Sequence, residues 1–131
     1  MNVISNNELG SIVVNKEVIS KIIAEEMRKM EGKVTPCGKN GNILSGVEAS
    51  SAVEISEHNA NMFVEVSFIT KFGVSIKGTS EELFDRIEDA FAGIGLETPV
   101  ELIACIRGVK SKRVAKRNIE VVRSRASDPN G

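Results

Sequence analysis

Apolar residues recur along this chain with two different periods, and the order of those periods restricts the folds that the chain can adopt. Spacings of three or four residues in 16–30 and 79–94 are typical of amphipathic helices. Apolar and polar residues alternate, or β-branched residues cluster, in four other segments, which indicates strands. These four segments are 11–14, 53–55, 64–68 and 100–106.

The resulting order, β-α-β-β-α-β, predicts an α+β fold in which an antiparallel sheet carries both helices on one face, followed by a basic C-terminal segment. The length of 131 residues suits a single domain. We expect that domain to span residues 10–109, with an N-terminal tail over 1–9 and a basic C-terminal extension and tail over 110–131.

Local signals mark the ends of the two helices. Asn15 is a suitable N-cap for the first helix, and Gly32 is a suitable stop. Thr79 followed by Glu82 has the capping-box spacing that predicts the start of the second helix. The intervening segment 33–51 is rich in Gly, Ser and Asn, so we expect a loop with at most a short turn of helix.

The composition indicates the kind of core and the compartment. With five Phe and no Trp or Tyr, the core is expected to be mainly aliphatic. The N-terminus lacks the basic and apolar regions of a secretory signal, and no apolar run approaches the length of a membrane span. We therefore expect a cytoplasmic protein.

Charge reverses near the C-terminus. Residues 107–125 carry eight basic side chains and one acidic one, whereas residues 1–106 carry nine basic and sixteen acidic ones. Such a segment attracts phosphate, an anionic membrane surface or the acidic face of another copy, although a solvated basic tail is the plain alternative. The candidate interaction residues are Arg107, Lys110, Lys112, Arg113, Lys116, Arg117, Arg123 and Arg125.

The secondary structure of this segment is open to two interpretations. Ala115, Ile119 and Val122 have helical spacing, which predicts a basic amphipathic helix that docks by its apolar stripe. A strand through Ile119–Val122 is the alternative.

Few residues have the types and spacings that catalysis or metal binding requires. His58 is the single histidine and lies in a turn-rich segment, and no second ligand follows at metal-binding spacing. Adjacent acids fall on solvent-facing sides of the predicted helices. Cys37, in a loop open to solvent, and Cys105, in a buried strand, are expected to be free thiols. The sequence predicts a non-enzymatic protein without cofactor or metal.

One short motif suggests nucleic-acid binding. The run Gly38, Lys39, Asn40, Gly41 has the Gly-x-x-Gly form with which KH domains clamp a nucleic-acid backbone. A KH loop joins two helices, however, and Pro36 interrupts the approach to this one, so a plain flexible loop is the competing interpretation. A nucleic-acid-binding module that uses this loop and the basic segment remains the alternative function.

Several stretches resemble the alkaline shock protein or Gls-type envelope stress response family of Gram-positive bacteria. The most specific is Lys71-Phe72-Gly73-Val74-Ser75-Ile76, which is similar to the aromatic-Gly-Val-x-Ile element of that family. Other matching stretches, within residues 10–109, are Gly10–Val14, Glu17–Ile19, Met30–Gly32, Phe63–Phe68, Gly95–Leu96 and Ile106–Val109. The C-terminal segment of this chain is unusually rich in Lys and Arg for that family.

The resemblance implies a non-enzymatic cytosolic protein that self-associates, is held at the inner face of the membrane by a partner and supports the cell envelope under stress. It transfers no catalytic residue to this chain. Together with the charge reversal, it leads to the hypothesis that residues 107–125 bind the acidic body of another copy, giving head-to-tail oligomers.

Overall fold

A mixed five-stranded sheet covered by two helices forms the centre of the protein. The computed structural model describes residues 2–7 and 10–124, with side chains from Asn15 onward. The elements are β1 Asn2–Asn7, β2 Gly10–Asn15, α1 Lys16–Arg28, β3 Val34–Pro36, a 3₁₀ helix Gly46–Ala52, β4 Val53–His58, β5 Asn61–Lys71, α2 Ile76–Gly93, β6 Glu101–Lys110 and β7 Val114–Ser124.

The α+β class is confirmed, but the sheet is not wholly antiparallel as predicted. β5 and β6 are parallel neighbours, and β7 pairs antiparallel with β6. On the other side of β5, β4 and β3 pair antiparallel with its two successive halves. The parallel pair arises because α2 carries the chain from the end of β5 back to the level where β5 began.

The N-terminal residues depart from the prediction. β1 lies in the segment predicted as a tail and pairs antiparallel with β2 along their whole length, which satisfies the backbone groups on the facing edges of the two strands. β2, predicted as a strand of the main sheet, therefore belongs to a separate two-stranded sheet.

Both helices pack on the same face of the main sheet, as predicted. Their buried residues form one cluster with alternate residues of the strands, which is the period-2 pattern of a sheet with one covered face. The largest fully buried side chains are Phe68, Phe84, Phe91, Ile19, Ile23, Met27, Met30, Ile69, Leu83, Ile87, Leu102 and Ile106.

Side-chain caps fix the start of each helix. The Asn15 side chain accepts a hydrogen bond from the Glu17 amide at 2.6 Å, which confirms the predicted cap of α1. The predicted capping box at Thr79 is wrong, because α2 begins at Ile76 and Ser75 caps it by accepting from the Gly78 amide at 2.9 Å. Thr79 is buried inside the helix.

The basic segment forms a strand, so the prediction of an amphipathic helix is wrong and the strand alternative is confirmed. Ile119 and Val121 alternate with exposed residues and pack against the core from β7. Gly108 makes this pairing possible, because a Cβ there would lie 2.7 Å from Val114 Cγ1 and 3.2 Å from the Ala115 oxygen. The strand is favoured because β7 pairs with β6 from Val114 to Ser124, apart from one irregularity at Arg107.

The turn between β4 and β5 generates a prediction about stability. Asn59 and Ala60 occupy a two-residue hairpin turn, and both have positive φ, 53° and 66°. Alanine is strained at positive φ, whereas glycine is not. We expect Ala60→Gly to raise the free energy of unfolding by about 1 kcal/mol in urea titrations. Ala24→Gly, inside α1, is the matched control and should lower it by about 1 kcal/mol.

Candidate functional site: a basic sheet end and edge strand

Most of the basic residues predicted to bind a partner lie on or beside the hairpin that joins β6 and β7. Five of them are exposed, and none forms an ion pair with another described residue. They are Lys110, Lys112, Arg113, Lys116 and Arg117. Arg125 lies outside the described residues.

Two residues that the charge analysis missed lie beside this hairpin. The parallel register pairs Lys71, the last residue of β5, with Lys110. The amide of Phe72 donates to the Lys110 oxygen at 2.8 Å, and the Phe72 side chain is 70% exposed. We call Lys71, Phe72, Lys110, Lys112 and Arg113 the sheet-end patch. No local sequence signal places Phe72 beside the hairpin, because the contact depends on the register of β5 and β6.

A cleft of about 490 Å³ opens between this patch and the end of α1. Thr70 lies in its wall, and the Thr70 hydroxyl is buried without a hydrogen-bond partner among the described residues. A buried hydroxyl without a partner has lost its hydrogen bonds to water and gained none from the protein. It can therefore donate to an acceptor that binds within reach. The cleft is lined by Glu31, Gly32, Thr35, Thr70, Lys71, Phe72, Lys110 and Ser111.

Arg107 is separate from this patch. It lies in an irregularity of the β5–β6 and β6–β7 pairing, and its side chain is partly buried. Its guanidinium donates to the Ser67 hydroxyl at 3.3 Å and lies 3.9 Å from the Glu65 carboxylate. Arg107 therefore stabilises the sheet face that points away from the helices.

Arg123 is also used inside the fold. From β7 it reaches the acidic side of α2, where its guanidinium binds the carboxylates of Glu81, Asp85 and Glu88. It also lies 5.3 Å from the centre of the Phe84 ring, within range of a cation–π contact. Burial opposes the charged form of Arg123, but the hydrogen bonds that its guanidinium donates to Glu81 and Asp85 raise its pKa above the usual value. Part of the acidic surface predicted to meet another copy is thus occupied by this chain's own arginine.

The Gly-x-x-Gly run forms a closed turn. The Gly41 amide donates to the Gly38 oxygen, and the Gly38 amide donates to the Asn42 oxygen, both at 2.9 Å. The Asn42 amide donates to the Asn40 side chain, and Lys39 pairs with Glu54 at 3.1 Å. The turn lies between β3 and the 3₁₀ helix rather than between two helices. The two glycine amides, which a KH loop would direct at phosphates, are therefore donors within the loop.

Both cysteines are free and buried, so the expectation that Cys37 is open to solvent is wrong. The Cys37 amide donates to the Ser67 oxygen from one side of β5, and Cys105 pairs with Ser67 from the other. Two strand spacings, roughly 9.5 Å, separate them, which is more than a disulfide spans. Burial raises the pKa of each thiol to about 11.

Comparison of the chain with models of protein families, with curated proteins and with solved structures gives no match. Within residues 2–7 and 10–124, no group of three or more His, Cys, Asp or Glu side chains is arranged to hold a metal ion. No helix in this part of the chain is long and apolar enough to cross a bilayer. The resemblance to the stress response family therefore stays a prediction.

The Arg123 contacts generate a prediction about how β7 is held. We expect Arg123→Met to lower the free energy of unfolding by roughly 2 kcal/mol, because three carboxylates on α2 lose their shared counter-ion. Arg117→Met is the matched control, since within residues 15–124 the Arg117 guanidinium bonds only to the Lys116 backbone oxygen, at 2.8 Å. Urea denaturation measures both variants. Equal losses would mean that Arg123 does not hold β7 to α2.

The buried thiols generate a prediction about alkaline pH. Each thiol pKa is raised in the folded state from its usual value of 9.0 to about 11, so the fold favours the protonated form. This stabilisation is complete below pH 9 and is lost as pH rises towards about 11. Urea titrations across this range should show a decline in stability that is shallower in the Cys37→Ala, Cys105→Ala double variant. Parallel declines in the two proteins would contradict the prediction.

Proposed function

We propose that this chain is a non-enzymatic envelope or general stress response protein that acts by self-association and protein–protein contacts near the membrane. The stretches that resemble the alkaline shock protein family support the stress role. Self-association is supported by one observation: the two outer strands of the main sheet carry side chains of opposite charge.

One edge is basic and the other acidic. Among the described residues β7 pairs only with β6, and its exposed side chains include Lys116 and Arg117. β4 pairs only with β5 in this part of the chain and carries the half-buried Glu57 and the exposed Glu54, whose ion pair with Lys39 would have to be shared or exchanged in the contact. Each outer edge presents backbone donors and acceptors with which another strand can pair.

These charges select between two ways of joining copies. Two β7 edges facing each other would bring Lys116 and Arg117 close to their own copies, and like charges opposite one another are destabilising. A β7 edge facing a β4 edge instead brings Lys116 and Arg117 towards Glu54 and Glu57. The favoured contact is therefore head to tail.

A head-to-tail contact does not close on itself in the way that a two-fold dimer does. Each added copy leaves one basic and one acidic edge free for the next, so chains of many copies form from one modest contact. An assembly of this kind multiplies weak contacts between its subunits and a shared surface, which suits a scaffold.

A charge-reversal experiment tests this function. We expect Lys116→Glu, Arg117→Glu to reduce the wild-type oligomers to monomers, because both edges are then acidic. Light-scattering chromatography measures the mass, and the wild-type oligomers should shrink in high salt, which screens exposed charges. Lys29→Glu, Lys77→Glu makes the same change of net charge at exposed lysines outside β4 and β7 and should leave the mass unchanged.

A partner variant makes the test specific to the two edges. Glu54→Lys, Glu57→Lys should also be monomeric alone, and mixing it with Lys116→Glu, Arg117→Glu should restore a complex. The proposal would be contradicted if both edge variants formed oligomers of wild-type mass and the wild-type oligomers kept their mass in high salt.

A further inference from the structure

We infer that the sheet-end patch is a docking site for an anionic lipid bilayer, in which Phe72 enters the interface and the cleft beside it receives a phosphate head group. This rests on the proposed function only in sharing its location near the membrane. It assigns the lipid itself as a partner and uses residues other than the β7 edge.

The exposure of Phe72 is the first observation. Phe68, Phe84 and Phe91 are fully buried and Phe63 is half-buried, whereas the Phe72 ring is 70% exposed. The hydrogen bond from its amide to Lys110 fixes its backbone at the tip of the sheet. An exposed ring held in one place retains the favourable free energy of burial for a contact with an apolar phase.

The charges around Phe72 are the second observation. Lys71, Lys110, Lys112 and Arg113 are exposed and have no ion pair among the described residues. Each cation close to an anionic leaflet contributes about 1 kcal/mol to binding. An aromatic ring surrounded by cations matches the boundary between lipid tails and acidic head groups.

The Thr70 hydroxyl is the third observation and points to phosphate. It is buried and unpartnered in the wall of the cleft that Lys71, Lys110 and Ser111 also line. A phosphate oxygen in the cleft would accept from Thr70 while the lysines balance its charge.

A carboxylate in the cleft further restricts the class of anion that can bind there. Glu31 is exposed and lines the side of the cleft towards the end of α1. Its charge offsets one of the lysines, which disfavours a polyanion with closely spaced charges such as a nucleic-acid backbone. The singly charged phosphodiester of a phospholipid is the better match.

Vesicle co-sedimentation of the full chain tests this inference. We expect binding to vesicles containing roughly one third phosphatidylglycerol and little binding to pure phosphatidylcholine. Phe72→Ser should weaken binding about tenfold, and Lys71→Glu, Lys110→Glu at least about tenfold. Val47→Ser, at a side chain 92% exposed in the 3₁₀ helix, is the control for the first. Lys16→Glu, Lys77→Glu is the control for the second.

Two further variants report on the mode of binding. The chain contains no Trp, so Phe72→Trp provides a single reporter whose emission should shift to the blue on anionic vesicles. Thr70→Val should keep the stability of the fold, since it removes an unpartnered hydroxyl, and should weaken vesicle binding severalfold.

Specific outcomes would overturn the inference. No emission shift, or a Phe72→Ser variant that binds vesicles as wild type does, would exclude insertion of the ring. A change in the Phe72→Trp emission on adding millimolar inorganic phosphate, with no binding to vesicles, would identify a free anion as the ligand. A preference for a DNA duplex over vesicles that the patch variants abolish would identify nucleic acid.

The tests of vesicle binding and of self-association can succeed or fail independently. Phe72→Trp introduced into the Lys116→Glu, Arg117→Glu background should still show the emission shift on vesicles as a monomer, and the sheet-end variants should still form oligomers. Loss of both properties in either variant would show that the two surfaces are one.

Discussion

The parallel pairing of β5 and β6 decides which residues lie beside the β6–β7 hairpin. Parallel neighbours require a crossover, and α2 supplies it while burying Phe84 and Phe91 against the sheet. Since the two strands run the same way, they end at the same end of the sheet. Lys71 and Phe72 therefore meet Lys110 and the hairpin that leads into β7. An antiparallel arrangement would have separated them by the length of the sheet.

The basic segment is divided into residues that serve the fold and residues left for a partner. Arg107 is bound on one face of the sheet by Ser67 and Glu65, and Arg123 is bound on the other by the acids of α2. These arginines lose their intramolecular contacts if they are drawn to another molecule. The charge available for binding is therefore concentrated at the β6–β7 hairpin and the first residues of β7.

The cations on β7 have two physical effects with one origin. An open edge strand invites pairing with any other strand, and lysine or arginine on it makes unselective pairing unfavourable. In the proposed assembly the same repulsion leaves an acidic edge as the favoured neighbour. Under that proposal, Lys116 and Arg117 both protect the edge against aggregation and select the partner. The sheet-end patch differs because it combines charge with an exposed ring and a buried hydroxyl.

The sequence by itself determined the helices, the β4–β5 hairpin, the covered face of the sheet and the charge reversal. Spacing of apolar residues and the Asn15 cap are local signals, and the structure follows them. The strand β7 and the parallel pair were decided only by tertiary structure, because Ile119 and Val122 fit both a helix and a strand until Gly108 lets β7 approach β6. The roles of Arg107, Arg123, Thr70 and Phe72 likewise depend on strand register and on contacts with α2. A one-dimensional pattern does not contain the distances between residues so far apart in the chain.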